Sequence, residues 1–91
     1  MPKLVSTKSY ERQLAIFIQQ HPGLRESYAR TIRLLELNPA HPSLRLHKLH
    51  GKLRDYSSVS INMKYRIMID FIIKEDMIIL IAIGSHQQLG M

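Results

Sequence analysis

The sequence predicts an α+β fold in which an N-terminal strand and a helix hairpin pack on one face of a small antiparallel β-sheet. Two observations carry that expectation. Apolar residues recur at helical spacing from Tyr10 to Leu35 and at strand spacing from Tyr56 onward. The breaks between the later segments are also too short for the crossovers that parallel strands need, so these strands form an antiparallel meander.

Residues 3–7, KLVST, make a short first strand. Ser9 suits the N-cap of the helix that follows, and Glu11 lies at the positive end of its dipole. Tyr10, Leu14, Phe17 and Ile18 recur at i, i+4, i+7 and i+8, the stripe of an amphipathic helix. HPG at 21–23 breaks it. A second helix places Leu24, Tyr28, Ile32 and Leu35 on one face, and NP at 38–39 ends it.

After the loop NPAHPS the period changes to two. Tyr56, Ser58, Ser60, Asn62 and Lys64 alternate with Ser57, Val59, Ile61 and Met63, a half-buried strand over 56–64. YRIMIDFII (65–73) continues with Tyr65, Ile67, Ile69 and Phe71 on the apolar face. KED supplies a turn, and MIILIAIG (77–84) reads as a strand buried on both faces. The order is β-α-α-β-β-β. The helix hairpin must cover the isoleucines, because no other segment is available. The even-numbered set Ser58, Ser60, Asn62, Lys64, Arg66 and Asp70 is then expected on an uncovered second face.

A chain of 91 residues suffices for a single domain, 1–91. It contains no cysteine, which excludes disulfides and thiolate metal sites and fits a reducing cytoplasm. No apolar run is long enough to span a bilayer, and the N-terminus lacks the apolar stretch of a signal peptide. A soluble, cytoplasmic protein with no membrane partner is expected.

The net charge of +6 is unevenly placed. Residues 41–66 hold six cations (Arg45, Lys48, Lys52, Arg54, Lys64 and Arg66) against Asp55 alone. Such a field serves solubility, and it also draws polyanions such as nucleic acid or an acidic protein.

Within that region LRLHKLHGKLRDY (44–56) carries His47 and His50, and GSH (84–86) adds His86 where the last strand ends. Imidazole can give or take a proton near neutral pH, and Arg or Lys can stabilise a phosphorane, so these are the parts of metal-free RNA cleavage. HKLH has i, i+3 spacing and lacks carboxylate or cysteine partners at zinc-ligand spacing, so neither metal nor other cofactor is expected. His21 and His41 read as surface residues. Gly51 permits the turn into the sheet, and His50 reads as the solvent-facing neighbour of His47.

The stretch from Leu37 to His86 resembles the RelE/ParE superfamily of toxin–antitoxin toxins, closest to its RelE/StbE, YafQ-like branch. The shared pattern is L-x-x-HKL-x-G, then S-x-x-I/V, YRI, an acidic turn, an apolar strand and IG-S/T-H. The resemblance implies a RelE-like fold and a metal-independent mRNA endoribonuclease that acts on the ribosome and inhibits translation. It also implies a cognate antitoxin that neutralises the toxin in a hetero-oligomer. His47 and His86 match histidines implicated in proton transfer or phosphate contact. Arg66 matches an arginine that stabilises the transition state.

Lys64 stands where YafQ-like members carry an aspartate and would be an extra catalytic cation. Ser60 stands in place of a further histidine. Arg45, Lys48, Lys52, Arg54, Ser58 and Ser60 would hold RNA or ribosome. The tail, GSHQQLGM, lacks the aromatic that family members usually carry after the last histidine. Two other readings follow from the same resemblance: a ParE-like inhibitor of DNA gyrase, and a catalytically weakened toxin that acts as a binding module.

Overall fold

The structure, a computed structural model, describes residues 1–90. Strand β1 (Lys3–Ser6) leads into helices α1 (Lys8–Gln20) and α2 (Arg25–Leu37), followed by β2 (His47–Lys48), β3 (Ser57–Ser60), β4 (Tyr65–Ile72) and β5 (Met77–Ser85). The strands form one sheet of order β1-β5-β4-β3-β2. β1 runs parallel to β5, and every other pair is antiparallel. The expected β-α-α-β-β-β order therefore holds, with the two-residue β2 added at the edge. Nothing in HK, two exposed polar residues, announces a strand; it exists because Ser57 and Ser58 offer it a ladder.

The helix hairpin covers the face the alternation assigns to it. Tyr10, Phe17 and Leu35 from the helices pack with Val59, Ile67, Ile69, Ile78, Leu80 and Ile83, and Leu14, Ile18, Tyr28 and Ile32 close the margins. Thr7, not Ser9, caps α1. Its hydroxyl accepts the Tyr10 N–H at 3.1 Å and donates to the Leu80 carbonyl at 3.1 Å, so one side chain opens the helix and ties it to β5. Ser9 instead accepts from the Gln13 amide one turn on.

β3 stops at Ser60 rather than continuing to 64. The Asn62 side-chain oxygen accepts the N–H groups of Lys64 and Tyr65, at 2.9 and 2.8 Å, which builds a turn where alternation alone suggests a strand.

The second face is not uncovered, which corrects the sequence expectation. The 44–56 segment and the C-terminal turn fold over it. There Leu49, Met68 and Leu89 form a second small core with Leu53, Tyr56, Ile81 and Ala82. The cause is apolar content. Met68 interrupts the polar even-numbered set on β4, and burying each such side chain is worth about 1.5–3 kcal/mol. Ser58, Ser60 and Arg66 are buried beneath this cover. Asn62 and Asp70 are half-buried, and Lys64 stays exposed.

A bulge in β5 decides which face receives its last residues. Met68 pairs with Ala82 and Ile69 with Leu80, so Ile81 has no partner on β4. Ile78 and Leu80 point to the helices; Ile81 and Ala82 both turn to the second face, and Ile83 returns to the main core. The parity of the strand thereby shifts, and Gly84 arrives opposite Arg66. No helix among the described residues is long and apolar enough to cross a membrane.

Candidate functional site: a buried arginine beside His47

Arg66 sits on β4 with only 6% of its surface exposed. Its Nε–H donates to the Ser58 hydroxyl at 2.8 Å; its Nη2 donates to the carbonyls of Arg45 and Ser58, at 2.9 and 3.3 Å. No carboxylate pairs with it: among the described residues the one ion pair joins the N-terminus to Asp76. Burial, and secondarily the nearby Arg45 charge, pushes the Arg66 pKa down, although a guanidinium stays charged at physiological pH. Nη1 makes no hydrogen bond among the described residues. No fully buried side-chain nitrogen or oxygen there lacks a partner, so Nη1 keeps a part of the little surface that Arg66 exposes. The arrangement is a fixed cation held by neutral acceptors, with one fork free for an oxyanion.

His47, on β2, places Nδ1 3.2 Å from Arg66 Nη2 and 3.3 Å from the Arg45 carbonyl. Arg45 takes a left-handed backbone conformation, φ 48° and ψ 45°, which non-glycine residues rarely adopt. This bend turns its carbonyl onto Arg66 and His47. The Arg45 side chain reaches away to the Met63 sulfur, at 3.4 Å. Gly51, at φ 66°, makes the turn that lets the segment re-enter the sheet, as its sequence position suggests.

His47 and His86 border one cleft of about 280 Å³, together with Lys48, Leu49, His50, Leu53 and Gly90. His86 leaves β5 on a turn that is clasped twice. The Gln88 amide oxygen accepts the Ser85 N–H at 2.8 Å, and the Ser85 hydroxyl accepts the Gln88 N–H at 3.2 Å. Leu89 is buried against Leu49 and Met68 and anchors the turn to the sheet. A Cβ at Gly84 would lie 2.8 Å from the Gln88 oxygen, so the clasp needs glycine there.

The structure places His47, His86 and Lys48 on one cleft; Arg66 touches His47 but does not line that cleft, and Arg45 contributes through its main chain. His50 is exposed, as expected, yet it also lines the cleft. Ser58 and Ser60 are buried, and their hydroxyls serve Arg66 and the Asn62 carbonyl. Lys52 and Arg54 are exposed outside the cleft. Lys64 lies over the Tyr65 ring at 5.5 Å, on the β3–β4 turn, and does not line the cleft.

His21 is half-buried, its ring 5.0 Å from Phe17 and 4.8 Å from Tyr65. Two larger hollows, about 510 and 430 Å³, carry no comparable grouping; the first has no histidine and the second has His21 alone. Among the described residues no three His, Asp or Glu side chains are grouped to hold a metal ion. Sequence reasoning missed Gln88 and Leu89, since a polar tail after the last strand gives no sign of folding back.

No protein-family model matches the chain, and no curated protein does. Solved structures do match. YafQ from E. coli strain BL21(DE3) is 12% identical, with 98% of each chain covered and a TM-score of 0.80. A metal-bound toxin from Helicobacter pylori is 22% identical over 98% of this chain and 99% of that one, at a TM-score of 0.76. The E. coli DinJ–YafQ toxin–antitoxin complex contains a chain 14% identical, covering 97% of this chain and 96% of that one, at a TM-score of 0.71. The likeness is one of fold: this chain has the RelE/ParE toxin fold in its YafQ-like form.

Proposed function

We propose that this protein is the toxin of a type II toxin–antitoxin system, a single toxin domain over residues 1–91 that works in the cytoplasm. In this reading it is a metal-independent endoribonuclease that cuts mRNA on the ribosome and is neutralised by a cognate antitoxin. One observation carries the proposal: a buried arginine with no carboxylate and one open fork, beside His47 and a cleft that His47 shares with His86. A structural arginine at such depth would be expected to have an anionic partner, because an unpaired buried charge is costly. The natural partner is an oxyanion supplied from outside.

The chemistry is an in-line transfer within RNA. The 2′-oxygen attacks the adjacent phosphorus, the P–O5′ bond breaks, and a 2′,3′-cyclic phosphate forms. One imidazole takes the 2′-hydroxyl proton and the other gives a proton to the departing 5′-oxygen. Arg66 Nη1 faces the extra negative charge of the phosphorane. The cationic segment that carries Arg45, Lys48, Lys52 and Arg54 supplies attraction for the RNA backbone or ribosome. The likeness to YafQ, whose structure with DinJ is a toxin–antitoxin complex, supports an antitoxin partner and a hetero-oligomer.

The test is to add the protein to a translating extract and map mRNA 5′ ends by primer extension, with and without a transition-metal chelator that leaves magnesium in place. New cuts that persist with chelator are expected. Intact mRNA with inhibited gyrase supercoiling would replace this reading with that of a gyrase poison.

A further inference from the structure

Arg66 Nη2 carries two hydrogens and faces three acceptors: the Arg45 carbonyl at 2.9 Å, His47 Nδ1 at 3.2 Å and the Ser58 carbonyl at 3.3 Å. His47 Nδ1 is also 3.3 Å from that same Arg45 carbonyl. The two His47 contacts exclude one another. A guanidinium only donates, so its contact needs a lone pair on Nδ1 and leaves the ring proton on Nε2. A carbonyl only accepts, so its contact needs Nδ1–H and leaves the lone pair on Nε2. Only the second form gives His47 a base on the side of the ring turned away from Arg66.

We propose that an anion bound at Arg66 switches His47 from the first form to the second. A phosphate that enters at Nη1 and reaches Nη2 with a second oxygen draws the Nη2 hydrogen away from Nδ1. One proton then leaves Nε2 to water and one arrives at Nδ1 from water, so the ring charge is unchanged. Nδ1–H donates to the Arg45 carbonyl, and Nε2 becomes the acceptor for a substrate hydroxyl. The base is thus assembled only when phosphate is in place.

Arg45 is in this account a positioning residue that acts through its main chain. Its left-handed conformation aims the carbonyl at both partners while its side chain lies on Met63. The identity of the anion as RNA phosphate rests on the ribonuclease reading above; the switch itself does not.

The experiment is nitrogen-15 NMR of the His47 ring at mildly alkaline pH, with a 2′-deoxyoligonucleotide as the probe, which offers phosphate but no reacting hydroxyl. The free protein is expected to carry Nε2–H, and saturation with the probe to move the proton to Nδ1. Arg45→Gly, which tolerates the left-handed backbone, keeps the switch, and Arg45→Val, which does not, loses it. A ring that holds Nε2–H at saturation, a ring already at Nδ1–H in the free protein, or no response of Arg66 and His47 to the probe overturns the proposal. The wild-type titration decides the matter even if Arg45→Val does not fold. Switching without any RNA cleavage on ribosomes would sink the ribonuclease reading alone, and cleavage with an unswitched ring would sink the switch alone.

Discussion

The Ser58 hydroxyl accepts the Arg66 Nε–H at 2.8 Å, and both residues are buried. A neutral oxygen thus stands where a carboxylate would be expected for so deep a cation. Had an aspartate occupied position 58, the guanidinium would be neutralised and less available to an incoming phosphate. Ser58→Ala is therefore expected to keep the fold at a cost of about 1–3 kcal/mol, the value of a lost buried hydrogen bond to a charged group. RNA cleavage should fall at least tenfold as Arg66 loses its direction. Denaturant titration and a cleavage assay on the same sample check both parts.

Arg66→Met separates function from stability. Burial lowers the Arg66 pKa, which means that the folded state penalises its charge. Replacing it with an apolar side chain of similar length removes that penalty but leaves the Ser58 hydroxyl and the Arg45 carbonyl without their donor, at about 1–3 kcal/mol for a buried acceptor. The two effects oppose, so the urea midpoint is expected to stay close to that of the wild type while cleavage is lost.

Gly84 and Gln88 form a testable pair. A Cβ at position 84 displaces the Gln88 amide from the Ser85 N–H and loosens the turn that carries His86. Gly84→Ala should lower cleavage with little loss of stability, because the displaced group is the end of a flexible side chain. Adding Gln88→Ala removes the clash with the amide oxygen but does not restore the clasp, so the melting temperature should stay near that of Gly84→Ala and activity should stay low. A double-mutant cycle in melting temperature and in rate reads this directly.

A fourth prediction concerns alkaline pH. The Tyr10 and Tyr28 hydroxyls meet at 2.6 Å, and burial raises the pKa of both. A raised folded pKa gives stability that is fully present below the unfolded value, about 10 for tyrosine, and is lost as pH rises above it. Stability should hold at neutral pH and decline above about pH 10. Tyr10→Phe should cost about 1 kcal/mol at neutral pH and flatten the alkaline decline, as measured by urea denaturation across that range.

Most of the fold was legible because periodicity reports burial. The helical stripe Tyr10, Leu14, Phe17, Ile18 and the odd-numbered face Val59, Ile67, Ile69 both pack where their spacing places them. The second face was not legible. Leu49, Leu53 and Leu89 lie in segments with no regular period, so nothing local shows that they cover Met68. The N-cap was ambiguous because Thr7 and Ser9 both offer a hydroxyl, and only the contact with Leu80 selects Thr7.

For the site, the resemblance singled out His47, His86 and Arg66; His47 and His86 border one cleft, and His47 alone of the two touches the Arg66 guanidinium. What sequence could not supply is the support: the Arg45 backbone, the Ser58 acceptor, the β5 bulge and the Gln88 clasp. Lys64, equally cationic in sequence, is carried off by the Asn62 turn.

The most direct test of the central claim compares cleavage rates on ribosome-bound mRNA for the wild type, His47→Ala, His86→Ala and Arg66→Met, each with its melting temperature. Removing a proton-transfer group costs about 10²–10⁴ in rate, so each histidine variant should fall by at least tenfold and Arg66→Met should lose cleavage, all with the fold retained. Folded variants that all cut at the wild-type rate would contradict the account.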